Sequence, residues 1–130
     1  MTVEAPCSIG DLLDRITILR IKVRRCSPEQ TANVAGELRA LARLWATEEP
    51  EMAELARVNE ALWEVEDRLR MAEAAGAFGD AFVADARSVY RLNDRRAALK
   101  RALNLRLGST LIEEKVHPVY GPASGPTEAR

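Results

Sequence analysis

Four polar residues, Asn93, Arg96, Lys100 and Asn104, recur at spacings of three and four along the last long amphipathic segment of this chain. That spacing places them on one side of a helix. A projection at about 100° per residue sets them inside the arc that also holds Phe82, Ala86, Val89, Tyr90, Leu92, Ala97, Leu99, Leu103 and Leu107. The core side of this helix is therefore partly polar. Arg87, Arg91, Arg95, Arg101 and Arg106 occupy the opposite face, where solvated charge belongs. The preceding amphipathic segment repeats the anomaly: Asn59, Glu66 and Arg70 fall between a leucine stripe and Trp63, at offsets of 0, 7 and 11, the same as Asn93, Lys100 and Asn104.

Two inward polar rows of equal length admit three chemistries. In the first the rows pair internally, because a buried charge is tolerable only with a partner. Glu66 then meets Lys100 or Arg96 while the asparagines bond to neighbouring groups. In the second, a cavity between the rows, lined by Arg70, Arg96, Lys100 and two or more amides, holds a small carboxylate or phosphate, since arginine offers a planar fork and lysine a point charge. In the third, a partner's side chains fill the space. Other chemistries lack their residues. His117 is the single histidine and precedes Pro118 near the end of the chain, which argues against a catalytic triad and a histidine-rich metal site. The glycines form neither GxGxxG nor a phosphate-binding loop, and Glu66 is the one clear inward carboxylate. No metal and no cofactor is predicted, and the sequence leaves open whether the protein is an enzyme.

The elements that must position these rows follow from capping and periodicity. Ser8 followed by Asp11, with Leu12, Ile16, Leu19 and Val23, predicts a helix over 9–25. Ser27-Pro28 opens a second over 29–46 with Val34, Leu38, Leu41 and Trp45 as its stripe, and Pro50 marks the next break. A third covers 51–75, with Leu55, Val58, Leu62, Val65 and Leu69, and stops at the Gly76 to Gly79 region; the fourth covers 80–107, with Gly108 after it. Four amphipathic helices joined by short breaks predict an all-α fold, an antiparallel four-helix bundle with a C-terminal arm over 111–120. The 130 residues read as one helical domain over 1–120, able to bury roughly two thirds of its unfolded surface, with a loose Pro/Gly/Ser/Thr-rich tail over 121–130.

On the first helix Ile18 and Ile21 point away from the main stripe and share a face with Asp14, Lys22 and Arg25. Two isoleucines amid alternating charge predict a covered surface, docked by the arm or by another subunit. A protein-interaction or self-association module is the leading functional reading, through a protein partner or a homodimer. The alternative is a bundle that binds a small anion or works as a positioning-type enzyme. The net charge of -1 and the missing aromatics along the basic face make a nucleic-acid partner a poor fit. Cys7 and Cys26 flank one helix, roughly 20 Å or more apart, beyond disulfide reach, so both are expected as thiols. No signal peptide and no membrane-spanning run is visible, and a cytoplasmic protein with no membrane partner is expected.

The segments SIGDLLDRITILRIKVRR, NEALWEVEDRLR, ARSVYRLNDRRAALKRALN and GSTLIEEK together resemble a bacterial family of short proteins whose domain has no assigned function. The likeness spans about Ser8 to Tyr120. The resemblance implies that Asp14, Lys22, Asn59, Trp63, Glu66, Asn93, Asp94, Lys100, Asn104, Glu114 and Lys115 match the family's motif positions, and the chain departs from the pattern at His117-Pro118. It carries no activity.

Overall fold

The computed structural model describes residues 1–120, and the tail expected to be loose, 121–130, lies outside them. The fold is all-α, with four helices: α1 Ile9–Arg25, α2 Pro28–Ala42, α3 Glu51–Ala75 and α4 Asp80–Arg106. Ser8 caps α1 by accepting the Asp11 N–H at 3.0 Å. Lys22, Arg24 and Arg25 sit in its last turn, where cations suit the helix dipole. Pro28 occupies the first position of α2, where its missing N–H costs nothing, and the Gln30 side chain accepts the Ser27 N–H at 2.9 Å. α2 stops at Ala42, short of the expected Ala46. The chain turns over Arg43 and Leu44, and the Trp45 indole N–H donates to Glu49 at 3.0 Å, inside the connection to α3. α3 ends at Gly76, whose φ of 65° is the left-handed turn that a glycine adopts without strain, with the Ala77 N–H closing back onto the Ala72 carbonyl at 2.9 Å.

Side-chain pairs fix the helix directions. Glu51 meets Arg106, Glu54 meets Arg95 and Arg68 meets Asp85, so α3 and α4 are antiparallel. Gly10 meets Asn104 and Asp14 meets Arg96, so α1 and α4 are antiparallel too, while Asp14 beside Asn59 and Arg25 beside Glu64 make α1 and α3 parallel. Helices therefore alternate up and down along the chain. α1 is the hub: it packs on all three others, whereas α2 packs on α1 alone and buries no residue. The core consists of Leu12, Leu13 and Ile16 from α1, Met52, Leu55, Val58 and Leu62 from α3, and Leu99 and Leu103 from α4, with Leu38, Leu41 and Trp45 half-buried against it.

α3 and α4 outrun α1. Past Val65, α3 buries nothing, and α4 buries nothing before Leu99. Of the apolar arc expected on α4, only Leu99 and Leu103 are fully buried; Phe82, Val89 and Leu92 are half-buried, the last two against the core, and Tyr90 is exposed.

The arm corrects a second expectation. It does not cover Ile18 and Ile21; Ile21 is already buried and Ile18 half-buried, both facing the junction with α3 and α4. The arm runs along α4 instead, drawn there by charge: Glu113 pairs with Lys100 at 2.8 Å, Glu114 with Arg101 at 3.5 Å and Lys115 with Asp94 at 3.0 Å, and the Tyr120 ring meets Tyr90 edge-on at 4.6 Å. Leu111, Ile112, Val116 and Val119 stay exposed.

α1 and α4 approach closely at Gly10. A Cβ there would lie 2.5 Å from the Lys100 carbonyl oxygen. Gly10→Ala is therefore expected to destabilise the fold by about 1–3 kcal/mol through overpacking against backbone. Gly36→Ala, in the middle of α2 with only the end of Arg39 nearby, is expected to stabilise by about 0.5–1 kcal/mol. Urea midpoints of the two variants moving in the same direction would contradict this packing.

Arg106 ties the end of α4 to the start of α3, reaching Glu49 at 2.8 Å and Glu51 at 2.7 Å. Its hydrogen bonds hold both carboxyls below the usual range, with the Trp45 indole assisting at Glu49. A depressed carboxyl stabilises the fold above its unfolded value and loses that contribution as pH falls through the folded value. Arg106→Met should lower the urea midpoint at neutral pH, and the gap to wild type should narrow well below the carboxylate range. A gap that is constant with pH would show that the clamp carries no linkage.

Candidate functional site

The polar row of α4 is answered by α1. Asp14, 1% exposed, lies under Arg96, whose Nε and Nη2 donate to its carboxylate at 3.0 and 2.5 Å. The Asn59 amide donates to the same carboxylate at 2.8 Å and to Thr17 Oγ1 at 2.9 Å, and the Thr17 hydroxyl donates to the Asp14 carbonyl at 2.7 Å. One buried carboxylate thus joins three helices. Its hydrogen bonds raise the Arg96 guanidinium against the opposing effect of burial. One turn further along α4, the Lys100 ammonium bridges Asp11 at 2.7 Å and Glu113 at 2.8 Å; burial opposes its charge, and the two carboxylates outweigh burial and hold its pKa above the usual lysine range. Asn104 Oδ1 then accepts the Gly10 N–H at 2.6 Å, while Ser109 Oγ accepts that of Ile9 at 3.1 Å. With Ser8 on Asp11, every N–H in the first three positions of α1 has a side-chain acceptor.

The expected partner row on α3 is only partly inward. Asn59 is buried. Glu66 and Arg70 are exposed, 3.9 Å from each other, and the expected pairing of Glu66 with Lys100 or Arg96 does not form. These positions lie past the last buried residue of α3, so water reaches them. The carboxylate that pairs with Arg96 is Asp14, expected on an outward interaction face. Of the other residues of that face, Lys22 is exposed, and Arg25 pairs with Glu60 and lies 5.6 Å from the centre of the Trp63 ring.

Two concavities adjoin the network. A groove of about 300 Å³ runs between α1, α3 and α4, lined by the apolar Ile18, Ile21, Leu62 and Trp63 and by the polar Arg70, Asn93 and Arg96. A wider space of about 820 Å³ opens between α4 and the arm, beside Asn93, Arg96, Lys100, Asn104 and Glu113. Asn93 and Arg96 line both. Among the described residues no set of three His, Cys, Asp or Glu side chains converges as a metal site, and no helix is long and apolar enough to cross a membrane.

Asp11, Thr17 and Glu113 join this network without a signal of their own in the α4 row, and Asp14, expected on an interaction face, stands at its centre. A signal was present. Leu12, Leu13, Ile16 and Leu19 form one stripe of α1 while Asp14, Thr17 and Ile21 form another, and a helix lined on two sides is a central helix. Asp14→Ala should cost about 3 kcal/mol or more, because it strands Arg96 and the Asn59 amide. Glu66→Ala should stay within about 0.5 kcal/mol. Similar chemical-denaturation midpoints for the two variants would remove Asp14 from the centre of the network.

No curated protein and no solved structure matches this chain. A family model described as a family of unknown function (DUF6165) matches residues 1–129, in agreement with the resemblance carried by the blocks from Ser8 to Tyr120, and the chain is therefore a member of that family.

Proposed function

We propose that this protein is a self-association module whose partner is a second copy of the chain, received along the stretch of α3 and α4 that α1 leaves uncovered. The observation that carries this reading is the burial pattern. Leu69 on α3 and Phe82, Val89 and Leu92 on α4 are only partly buried, and Met71 on α3 and Val83 on α4 are exposed, in helices that bury nothing beyond Val65 and before Leu99. Fully burying an exposed side chain of this size is worth about 1.5–3 kcal/mol. A helical hairpin has one partner helix and leaves much of its apolar stripe wet, whereas two hairpins form a four-helix bundle.

Charge supports a like partner. Along the uncovered side of α3 the order is Glu66, Arg70, Glu73. In an antiparallel two-fold contact, Arg70 of each copy faces an acidic residue of the other, the self-complementarity that an isologous interface requires. Little is lost in the exchange, because the Glu66–Arg70 contact within one chain is long and exposed. With a net charge of -1 the copies do not repel one another. On the outer face of α4, Arg95, Arg101 and Arg106 are engaged by Glu54, Glu114 and Glu51, which weakens the case for a phosphate backbone as the partner.

Sedimentation equilibrium is the direct test. The wild type should be dimeric in the micromolar range, and Val83→Arg, at an exposed position of α4, should be monomeric with unchanged helix content. A wild type that is monomeric throughout that range, or a Val83→Arg variant that still dimerises, would refute the proposal.

A further inference from the structure

The wider of the two concavities lies between α4 and the arm, and an unusual atom lies beside it. Asn104 is 1% exposed and lines this space. Its Oδ1 accepts the Gly10 N–H, which fixes which end of the amide is oxygen, and its Nδ2 is buried with no acceptor among the described residues. Buried amide donors are rarely left unmatched. Four residues before it, on the same face, Lys100 holds Glu113, and Arg96 engages Asp14 through Nε and Nη2.

Glu113 is a detachable occupant. It belongs to a segment without regular structure and is half-exposed. The apolar side chains around it, Leu111, Ile112 and Val116, contribute little burial, so the arm is fastened mainly by ion pairs to Lys100, Arg101 and Asp94 and by the contact of Tyr120 with Tyr90. Exposed pairs of this kind hold weakly.

We propose that the cavity under the arm binds a small free monocarboxylate, and that Glu113 is its internal stand-in. The ligand replaces the Glu113 carboxylate on Lys100 and supplies the acceptor that Asn104 Nδ2 lacks. Charge selects the class. With Glu113 withdrawn, Arg96 and Lys100 balance Asp14 and Asp11, so the site accommodates the single negative charge that Glu113 brings and disfavours a dianion such as phosphate. This site stands apart from the dimer contact proposed above and does not depend on it.

The test uses acetate as the smallest probe, against chloride at constant ionic strength, on the full chain. Glu113→Gln removes the internal competitor, so acetate should bind it at least about tenfold more tightly than wild type, by the population the arm otherwise blocks. The read-outs are the thermal midpoint and the side-chain amide resonances of Asn104, which should move with acetate and not with chloride. Lys100→Met in the Glu113→Gln background should abolish both responses; if that double variant does not fold, the Asn104 resonances of Glu113→Gln decide alone. An acetate response equal to that of chloride, equal affinity in wild type and Glu113→Gln, or tighter binding of phosphate than of acetate would each overturn the proposal.

Discussion

A single carboxylate sets the arrangement of this protein. Apolar packing between helices has no direction, and the apolar stripes of α1, α3 and α4 fix which faces meet but would meet comparably well after a slide along the helix axes. Asp14 removes that freedom. It must receive the Arg96 fork from α4 and the Asn59 amide from α3 together, because an unpartnered carboxylate at that depth is prohibitive. Once Asp14 is seated, Gly10 faces the α4 backbone, Asn104 reaches the first turn of α1, and Asp11 falls beside Lys100. The groove and the larger cavity are the spaces left around that junction.

How much of this was legible in the sequence depended on whether a signal was local. The four helices, their caps at Ser8 and Gly76, and the inward turn of Lys100 and Asn104 follow from periodicity and capping chemistry alone. The partner of each inward group was not local. Matching the offsets of Asn59, Glu66 and Arg70 to those of Asn93, Lys100 and Asn104 assumed that α3 and α4 face each other squarely, whereas α1 lies between their polar edges and answers α4 from its own second stripe. Glu66 fails for a geometric reason: it lies where the bundle has thinned to two helices. The path of the arm was also beyond local reading, since its apolar residues suggested a hydrophobic dock while its charges chose α4.

Most of the exposed ion pairs follow one division of sign, which Arg68 of α3 with Asp85 of α4 reverses. The basic end of α1 meets acids of α3 and of the connection before it, through Arg20 with Glu48 and Arg24 with Glu60. The acids at the start of α3 meet the arginines of α4 through Glu51 with Arg106 and Glu54 with Arg95. Each pair is worth little alone in water, yet the pattern opposes any register that would bring like charges together. The acidic middle and the basic last helix are thus a guide to neighbours within the chain rather than a surface for a charged polymer.

The peripheral place of α2 divides the molecule into two levels of cooperativity. A helix that packs on one neighbour and buries none of its residues can open without breaking the Asp14 junction, losing only the half-buried contacts of Leu38 and Leu41 with the core. Its backbone amides therefore belong to a lower-energy unfolding unit than those of α1. Local fraying of α2 exposes the back of α1, so the central helix of this fold is screened on one side by its least secure element.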